Sequence, residues 1–392
     1  MPKSEGRANS PEDFLGQTFS LKIEKLIVGG SGLGRHEGLV VFVEQVAPGE
    51  TVSVKVVEVK KNFLIAKLIE VLEPSPHRVD PRCSYFGSCG GCNWQHLDLA
   101  TQESEKAQIL TSLFKKSPAL SGVNLKKIIS SPHEFFYRNR VQMIFDGKNL
   151  CFRGRKTHDL IPIKDCVIAE EPIRDFIKNF PAHHLKKGSR YEIFLNSING
   201  LVEFVEVSED ESGARFAQVN RFVNELITNE VLALLDLKST GRLFEFYAGS
   251  GNFTFPVLSR SKFTQVFAVE GSSLLTTKAK ELQKQNSISP NRLKFFNSDV
   301  ESFLRSNWPT SQDTVLLDPP RGGATEFILT SLAHSRPRQI VYLSCHPVTL
   351  TRDLEFFLKK APFYSIEFAQ PFDMFPQTDH IECLVSLKLT DS

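Results

Sequence analysis

The sequence predicts a multidomain α/β protein. It reads as a small OB-like β-barrel at the N-terminus, a central α+β region built around a cysteine cluster, and a C-terminal Rossmann-like, doubly wound sheet. Three observations predict this. Four short apolar runs separated by turn residues fill the stretch from 21 to 71. Cys83, Cys89 and Cys92 then crowd one short segment. From Arg242 onward, apolar runs that end in polar or charged residues alternate with helical stretches. The expected divisions are a lead without order over 1–18, the barrel over 19–73, the central region over 74–235 and the doubly wound domain over 236–392.

A chain of 392 residues with 41% apolar and 23% charged residues has enough material for two or three packed domains. The net charge of +2 announces no nucleic-acid binder, so any such role has to come from local patches. No apolar run approaches a membrane span, and the polar start Met1–Gln17 does not resemble a secretory signal. Seven cysteines without a signal peptide point to metal or redox chemistry in a reducing compartment, hence a cytoplasmic protein, rather than to a disulfide scaffold. A monomer is the default expectation.

In the barrel, the runs are Leu21–Val28, Leu39–Val46, Thr51–Val59 and Phe63–Val71, with Gly29–Gly34 and Ala47–Glu50 read as turns. Barrels of this type often carry nucleic acid on one face, although a purely structural barrel would have the same pattern. Gly29–Gly34 has the look of a phosphate loop, but no helix follows it, which argues against that use.

After Pro74-Ser75-Pro76 the spacing is C-x5-C-x2-C, with Gly87, Gly90 and Gly91 leaving the backbone free to wrap a bulky object. Zinc sites usually show paired C-x2-C knuckles. An iron–sulfur cluster takes four thiolates at uneven spacing, and the all-thiolate set favours it. Cys166, in a polar stretch, is the best fourth ligand and His96 the runner-up. Cys151 sits in an apolar run and reads as core. A helix is expected over Leu97–Lys116, packed on either the central or the C-terminal domain. A hairpin is expected around Asp146-Gly147. Between Arg138 and Lys156 stand six basic residues (Arg138, Arg140, Lys148, Arg153, Arg155, Lys156) against one acid, Asp146. With interleaved Phe and Tyr, this is the best candidate for RNA contact, the plain alternative being a solvated strand face.

In the last domain, Tyr247-Ala-Gly249-Ser-Gly251-Asn252 joins a strand to a helix, a weak G-x-G signal by itself. Glu270 ends the next strand about 20 residues on, a spacing that suits a ribose diol and excludes a 2′-phosphate. Asp299 and Asp318 end the third and fourth strands. No P-loop lysine is present, so NAD and S-adenosylmethionine remain as cofactors. Asp318-Pro-Pro-Arg321 favours the latter, being a feature of the substrate edge of nucleotide methyltransferases. The strand Ile340–Leu343 then runs into Ser344-Cys345-His346-Pro347, which places a thiol at the carboxyl end of a strand, where ligands collect in open α/β sheets. By itself that thiol reads as readily as a core cysteine, and Glu382 as a surface acid at the start of a strand over 383–387.

Taken together, the four cysteines at 83, 89, 92 and 166, Tyr247–Asn252, Asp318–Arg321, Ser344–Pro347 and His380-Ile381-Glu382 resemble the RNA uracil-5 methyltransferases. The likeness runs from about Phe19 to the end. It is nearest to the branch with an N-terminal TRAM barrel and a 4Fe-4S cluster, which acts on 23S rRNA. The branch acting on transfer RNA lacks both, and remains an alternative. Ala248 stands where that family usually has Cys. The resemblance implies an S-adenosylmethionine-dependent methyltransferase domain in which Gln218, Tyr247, Asn252, Glu270, Asp299 and Asp318 contact the cofactor. It implies that Cys345 is the nucleophile and Glu382 the general base. It further implies that Cys83, Cys89, Cys92 and Cys166 hold the cluster, and that RNA, ribosomal before transfer, is the partner. The chemistry is consistent with this, because uracil C5 attacks a methyl only after a thiolate has added at C6. Two further classes remain open: a non-catalytic iron–sulfur RNA-binding protein, and an iron–sulfur oxidoreductase with a nucleotide cofactor.

Overall fold

The computed structural model describes residues 11–180, 185–196, 199–208 and 218–390. The first ten residues of the expected lead fall outside these. Two compact units emerge: Met1–Ile109 with Phe152–Ile161 and Pro376–Asp379, and Leu110–Cys151 with Pro162–Phe375 and His380–Ser392.

In the first unit, β1 (Thr18–Leu26), β2 (Gly32–His36), β3 (Leu39–Val43), β4 (Thr51–Lys60) and β5 (Phe63–Glu73) close into a barrel in the order β1-β2-β3-β5-β4. Alternate residues of the long strands point inward, and Leu21, Ile23, Val41, Val43, Val52, Val54, Val56 and Leu64 fill the interior. The barrel core also takes in Phe14 from a single 3-10 turn, Pro11–Phe14, within the stretch expected as the lead. Part of the stretch expected as a turn, Gly29–Gly34, is strand β2. A Cβ on Gly34 would lie 2.4 Å from the Lys22 carbonyl oxygen, and one on Gly32 would lie 2.3 Å from a Val46 methyl. A backbone oxygen at Gly34 and a packed methyl at Gly32 leave no room for a side chain, so this strand carries no apolar run to read.

The segment after β5 is fastened to the barrel by Glu50. Its fully buried carboxylate accepts from the Ala47 and Ser75 N–H groups (2.7 and 3.3 Å) and from Arg78 Nε and Nη2 (2.5 and 2.8 Å). Helix α1 (Leu99–Lys116) starts two residues later than expected because the Asp98 carboxylate accepts from the Thr101 N–H at 2.7 Å.

Next along the chain, β6 (Arg140–Phe145), β7 (Leu150–Arg153), β8 (Leu160–Pro162), α2 (Glu171–Lys178), β9 (Arg190–Leu195) and β10 (Val202–Val207) follow, with the sheet order β10-β9-β6-β7-β8. The β6–β7 hairpin turns at Gly147 (φ +105°), with Asp146 accepting from the Lys148 and Asn149 N–H groups at 2.7 Å each. Residues 152–161 at its far end belong to the first unit. After α3 (Arg221–Leu234) come β11 (Arg242–Phe246), α4 (Thr254–Arg260), β12 (Gln265–Glu270), α5 (Ser273–Gln285), β13 (Leu293–Asn297), α6 (Val300–Leu304), β14 (Thr314–Leu317), α7 (Glu326–Ser335), β15 (Gln339–Ser344), α8 (Pro347–Lys360), β16 (Tyr364–Phe372) and β17 (Glu382–Leu389). They form one sheet in the order β13-β12-β11-β14-β15-β17-β16, with the first five strands parallel and β17 antiparallel to both neighbours.

Helices cover both faces of this sheet, each over its own apolar cluster, and β14 and β15 are buried along their whole length. Leu110 and Phe114 of α1 pack into one of these clusters. Much of the chain's phenylalanine serves here, with Phe244, Phe246, Phe267, Phe296 and Phe303 meeting largely edge to face. Strand β16 was not expected. Chain order turns back between β11 and β14, which opens a crevice at the carboxyl ends of the parallel strands.

Candidate active site

The crevice is built from strand ends. β11 runs into Tyr247, whose φ of +64° is a left-handed conformation that a bulky residue adopts only under constraint. The turn behind it uses Gly249 (φ +57°) and Gly251 (φ +96°). A Cβ at Gly251 would strike the Phe255 ring at 2.5 Å, whereas around Gly249 there is open space, which suits a ligand close to the backbone. Glu270, at the end of β12, accepts from the Gly249 N–H (2.9 Å) and the Ser272 N–H (2.7 Å), so the acid braces the glycine turn. Asn252 and Asn224 exchange amide hydrogen bonds, 2.9 Å each way.

Gln218 precedes α3 and its carbonyl accepts from Asn139 Nδ2 at 3.3 Å. Asp299 is exposed and caps α6, accepting from the Ser302 N–H at 2.8 Å, a bond that holds its carboxyl below the usual range. Asp318 follows β14 directly, and burial pushes its carboxyl up to about 7. Sequence reasoning passed over Glu245 in the middle of β11. It is buried, it accepts from the Thr254 hydroxyl at 2.5 Å, and burial raises its carboxyl to about 8. An acid inside an apolar strand, Arg242-Leu-Phe-Glu-Phe246, was the available signal.

Cys345 lies in the turn between β15 and α8. His346 Nδ1 accepts from the Thr349 N–H at 3.4 Å and Pro347 opens the helix, so the thiol sits just ahead of a helix N-terminus. Burial, then the charges of Glu382 and Asp318, push this thiol up to about 12, while Arg321 acts in the opposite direction. Strands β15 and β17 pair Ser344 with Cys383. The ladder ends at that pair, so Cys345 and Glu382 are the next residues beyond it on each strand, and the Glu382 charge acts on the Cys345 thiol.

Glu382 is 3% exposed, and among the described residues its Oε2 has no hydrogen-bond partner. The plain reading of Glu382 as a surface acid is therefore corrected. Burial, then the Asp318 charge, raises its carboxyl well above the usual range, against Arg321. Arg321 Nη2 stands 3.3 Å from His380 Nε2, and its carbonyl accepts from the Thr349 hydroxyl at 3.1 Å. The loop that carries it is tied to α8 by Asp353, which accepts from the Ala324 N–H (2.8 Å) and the Tyr342 hydroxyl (2.6 Å).

Cys83, Cys89 and Cys92 are half-buried in the first unit. Backbone bonds on either side of Cys89, Gly90 N–H to Arg153 O and Arg155 N–H to Ser88 O, both 3.0 Å, strap this loop to the strip 152–161. The Gly91 N–H donates to Cys89 Sγ at 3.4 Å. Cys166 is half-buried in the second unit, beside Asp165, which takes two 2.8 Å bonds from Arg174. Among the described residues, no group of three His, Cys, Asp or Glu side chains is drawn together as a metal site. His96, the alternative ligand, is buried with Nε2 against the Val46 carbonyl at 3.0 Å, and burial lowers its pKa to about 4. Cys151 is fully buried.

The basic stretch is less available than its charge count suggested. Arg155 and Lys156 both pair with Glu44 (2.7 and 2.5 Å), and Arg140 pairs with the buried Glu192 (2.7 Å). Half of the expected patch is thus spent on holding the fold.

A family model described as tRNA (Uracil-5-)-methyltransferase matches residues 202–390, and a TRAM domain model matches residues 12–69. An uncharacterized RNA methyltransferase of Bdellovibrio bacteriovorus is 38% identical over 384 residues, covering 96% of each chain. The 23S rRNA (uracil(1939)-C(5))-methyltransferase RlmD of Shewanella halifaxensis is 30% identical over 437 residues, again covering 96% of each. Among solved structures, the Pyrococcus abyssi tRNA (uracil-54, C5)-methyltransferase in complex with S-adenosyl-L-homocysteine matches with a TM-score of 0.71 at 20% identity. That match covers 94% of this chain and all of that one, and is a likeness of fold.

Proposed function

The chain belongs to the RNA uracil-5 methyltransferases, and we propose that it methylates C5 of a uridine in 23S rRNA through a covalent bond between Cys345 and uracil C6. The reading is supported by the end of the β15–β17 ladder, where Cys345 and Glu382 follow the Ser344–Cys383 pair, and by the action of the buried Glu382 charge on the Cys345 thiol. S-adenosylmethionine, when bound, supplies a methyl group on a sulfonium, and its positive charge suits a crevice edged by Asp318 and Glu382.

In this reading the Cys345 proton passes to solvent water and the thiolate adds to C6, which pushes electrons into an enolate and makes C5 nucleophilic. C5 attacks the methyl carbon, the sulfur–methyl bond breaks, and S-adenosylhomocysteine leaves as a neutral thioether. Glu382 then accepts the C5 proton, the C5–C6 double bond reforms and the thiolate leaves. Burial suits Glu382 to this work, since a carboxylate with a raised pKa is the stronger base. Arg321 favours the charged form of both groups. Glu270 braces the glycine turn, and Gln218, Tyr247, Asn252, Asp299 and Asp318 line the rest of the cofactor site. The uracil reaches a thiol at the sheet edge only as an unstacked or flipped base.

The ribosomal target rests on the TRAM barrel and on the RlmD relatives. A transfer-RNA target is the second reading, favoured by the name of the matching family model. We further propose that Cys83, Cys89, Cys92 and Cys166 hold a 4Fe-4S cluster. An all-thiolate donor set and an N–H aimed at Cys89 Sγ support it. It has no step in methyl transfer, which needs no electrons.

Incubation with labelled S-adenosylmethionine and either 23S rRNA or tRNA transcripts tests the reading. Label is expected in 23S rRNA for the wild type and absent for Cys345→Ala, while Glu382→Gln accumulates a protein–RNA adduct. Methylation that persists without Cys345 overturns the mechanism, and label confined to tRNA overturns the target.

A further inference from the structure

Two chain segments far apart in sequence form the walls of the crevice, and a pair of asparagines joins them. One wall is the entry to α3. There Asn139 holds the Gln218 carbonyl (3.3 Å), and its own N–H donates to the Val219 carbonyl at 2.8 Å. Asn220 is fully buried. Its Oδ1 caps the helix by accepting from the Val223 N–H (3.2 Å), and its Nδ2 donates to Ser131 Oγ and the Met374 carbonyl (both 3.1 Å). Asn224 stands one turn further along α3, with its N–H on the Asn220 carbonyl at 3.0 Å. The other wall is the glycine turn after β11, where the Phe255 ring leaves no room for a side chain at Gly251. Asn252 projects from its end.

Across the gap the two amides are locked face to face. Asn224 Nδ2 donates to Asn252 Oδ1 and Asn252 Nδ2 donates to Asn224 Oδ1, both at 2.9 Å. A primary amide has two N–H groups and two carbonyl lone pairs. The reciprocal pair uses one of each on Asn252 and leaves one of each for another partner. It also removes the freedom of the amide to flip or rotate, because a half-turn about its last torsion would set N–H against N–H and oxygen against oxygen. Asn252 is exposed on this edge, so no other packing fixes its direction.

We infer that Asn224 is a positioning residue for the cofactor: it presents the remaining N–H and carbonyl lone pair of Asn252 to the ligand and keeps the Gln218 wall at a fixed distance from the glycine turn. This rests on the reading of Asn252 as an S-adenosylmethionine contact. Preorganisation of this kind strengthens binding by removing rotamer freedom before the ligand arrives. It acts on cofactor affinity and not on the methyl-transfer step.

The test uses the full chain in four forms: wild type, Asn224→Ala, Asn252→Ala and the double variant. Titration calorimetry measures Kd for S-adenosylmethionine and S-adenosylhomocysteine, and urea unfolding without ligand checks that the fold is kept. Asn224→Ala is expected to weaken both ligands about tenfold, the scale of one or two hydrogen bonds, and to raise KM for the methyl donor with kcat changed by less than about twofold. In the Asn252→Ala background the same change has no further effect, because Asn224 acts through Asn252. Asn224→Asp, which still accepts from Asn252 Nδ2 but cannot donate to Oδ1, falls between wild type and Asn224→Ala. It also serves if the alanine variant unfolds.

Binding by Asn224→Ala within about twofold of wild type, or additive losses in the double variant, overturns the inference. A wild type that binds neither ligand overturns the parent reading instead, so the two failures are distinguishable.

Discussion

Cys345 presents a physical problem that its neighbours state clearly. A nucleophilic thiol works as the thiolate, yet burial and two acids push its pKa up to about 12, against Arg321. A sulfonium beside these acids would offset their charge and favour the thiolate. The sign is testable. Alkylation of Cys345 by iodoacetamide is expected to climb steadily with pH from 7 to 10 with no plateau near the ordinary cysteine value of about 8.5. At pH 9, where Asp318 with its pKa of about 7 carries its charge, Asp318→Asn removes a negative neighbour, lowers the thiol pKa and speeds the reaction. Alkylation of that variant at or below the wild-type rate would refute this electrostatic account.

Among the elements, strand β2 and the Arg321 loop show the same rule, that glycine stands where a neighbouring group leaves no room for a Cβ. Gly323 (φ +80°) would drive a Cβ to 2.3 Å from Asp353 Oδ2, the atom that anchors the loop, and Gly34 would drive one into the Lys22 carbonyl. Gly34→Ala therefore has to part β1 from β2. We expect it to destabilise the barrel by about 1–3 kcal/mol, the usual range for overpacking, read as a fall in the urea midpoint. An unchanged midpoint would mean that the barrel relaxes without loss. The basic hairpin carries the complementary lesson. Arg155 and Lys156 face Glu44 and Arg140 faces Glu192, so part of a run of charges in sequence became ion pairs, with the two arginines largely buried and Lys156 still exposed.

For the molecule as a whole, the division into two units puts Cys83, Cys89 and Cys92 in the first, and Cys166 with the proposed catalytic pair Cys345 and Glu382 in the second. Since methyl transfer needs no electrons, we propose that the cluster shapes RNA recognition and leaves the cofactor site alone. Protein purified without oxygen is expected to contain about four irons and four sulfides per chain, the stoichiometry of that cluster. Cys89→Ser is expected to lose the iron and to weaken rRNA binding, with S-adenosylhomocysteine affinity unchanged. Iron-free wild type, or a variant whose cofactor affinity falls along with its iron, contradicts this assignment.

Sequence by itself determined the alternation of the five parallel strands with helices and the acids and thiol at their ends, because strands such as β14 and β15 are buried along their whole length and read as continuous apolar runs. It also determined the family, since spaced motifs survive in sequence independently of contacts. Only the tertiary structure decided that Glu382 is buried opposite the Cys345 turn, that His96 faces a barrel carbonyl, that a glycine pair forms a strand, and that Asn224 meets Asn252. Each of these depends on a partner far away in the chain, and a contact between distant residues leaves no period or spacing in the sequence around either of them.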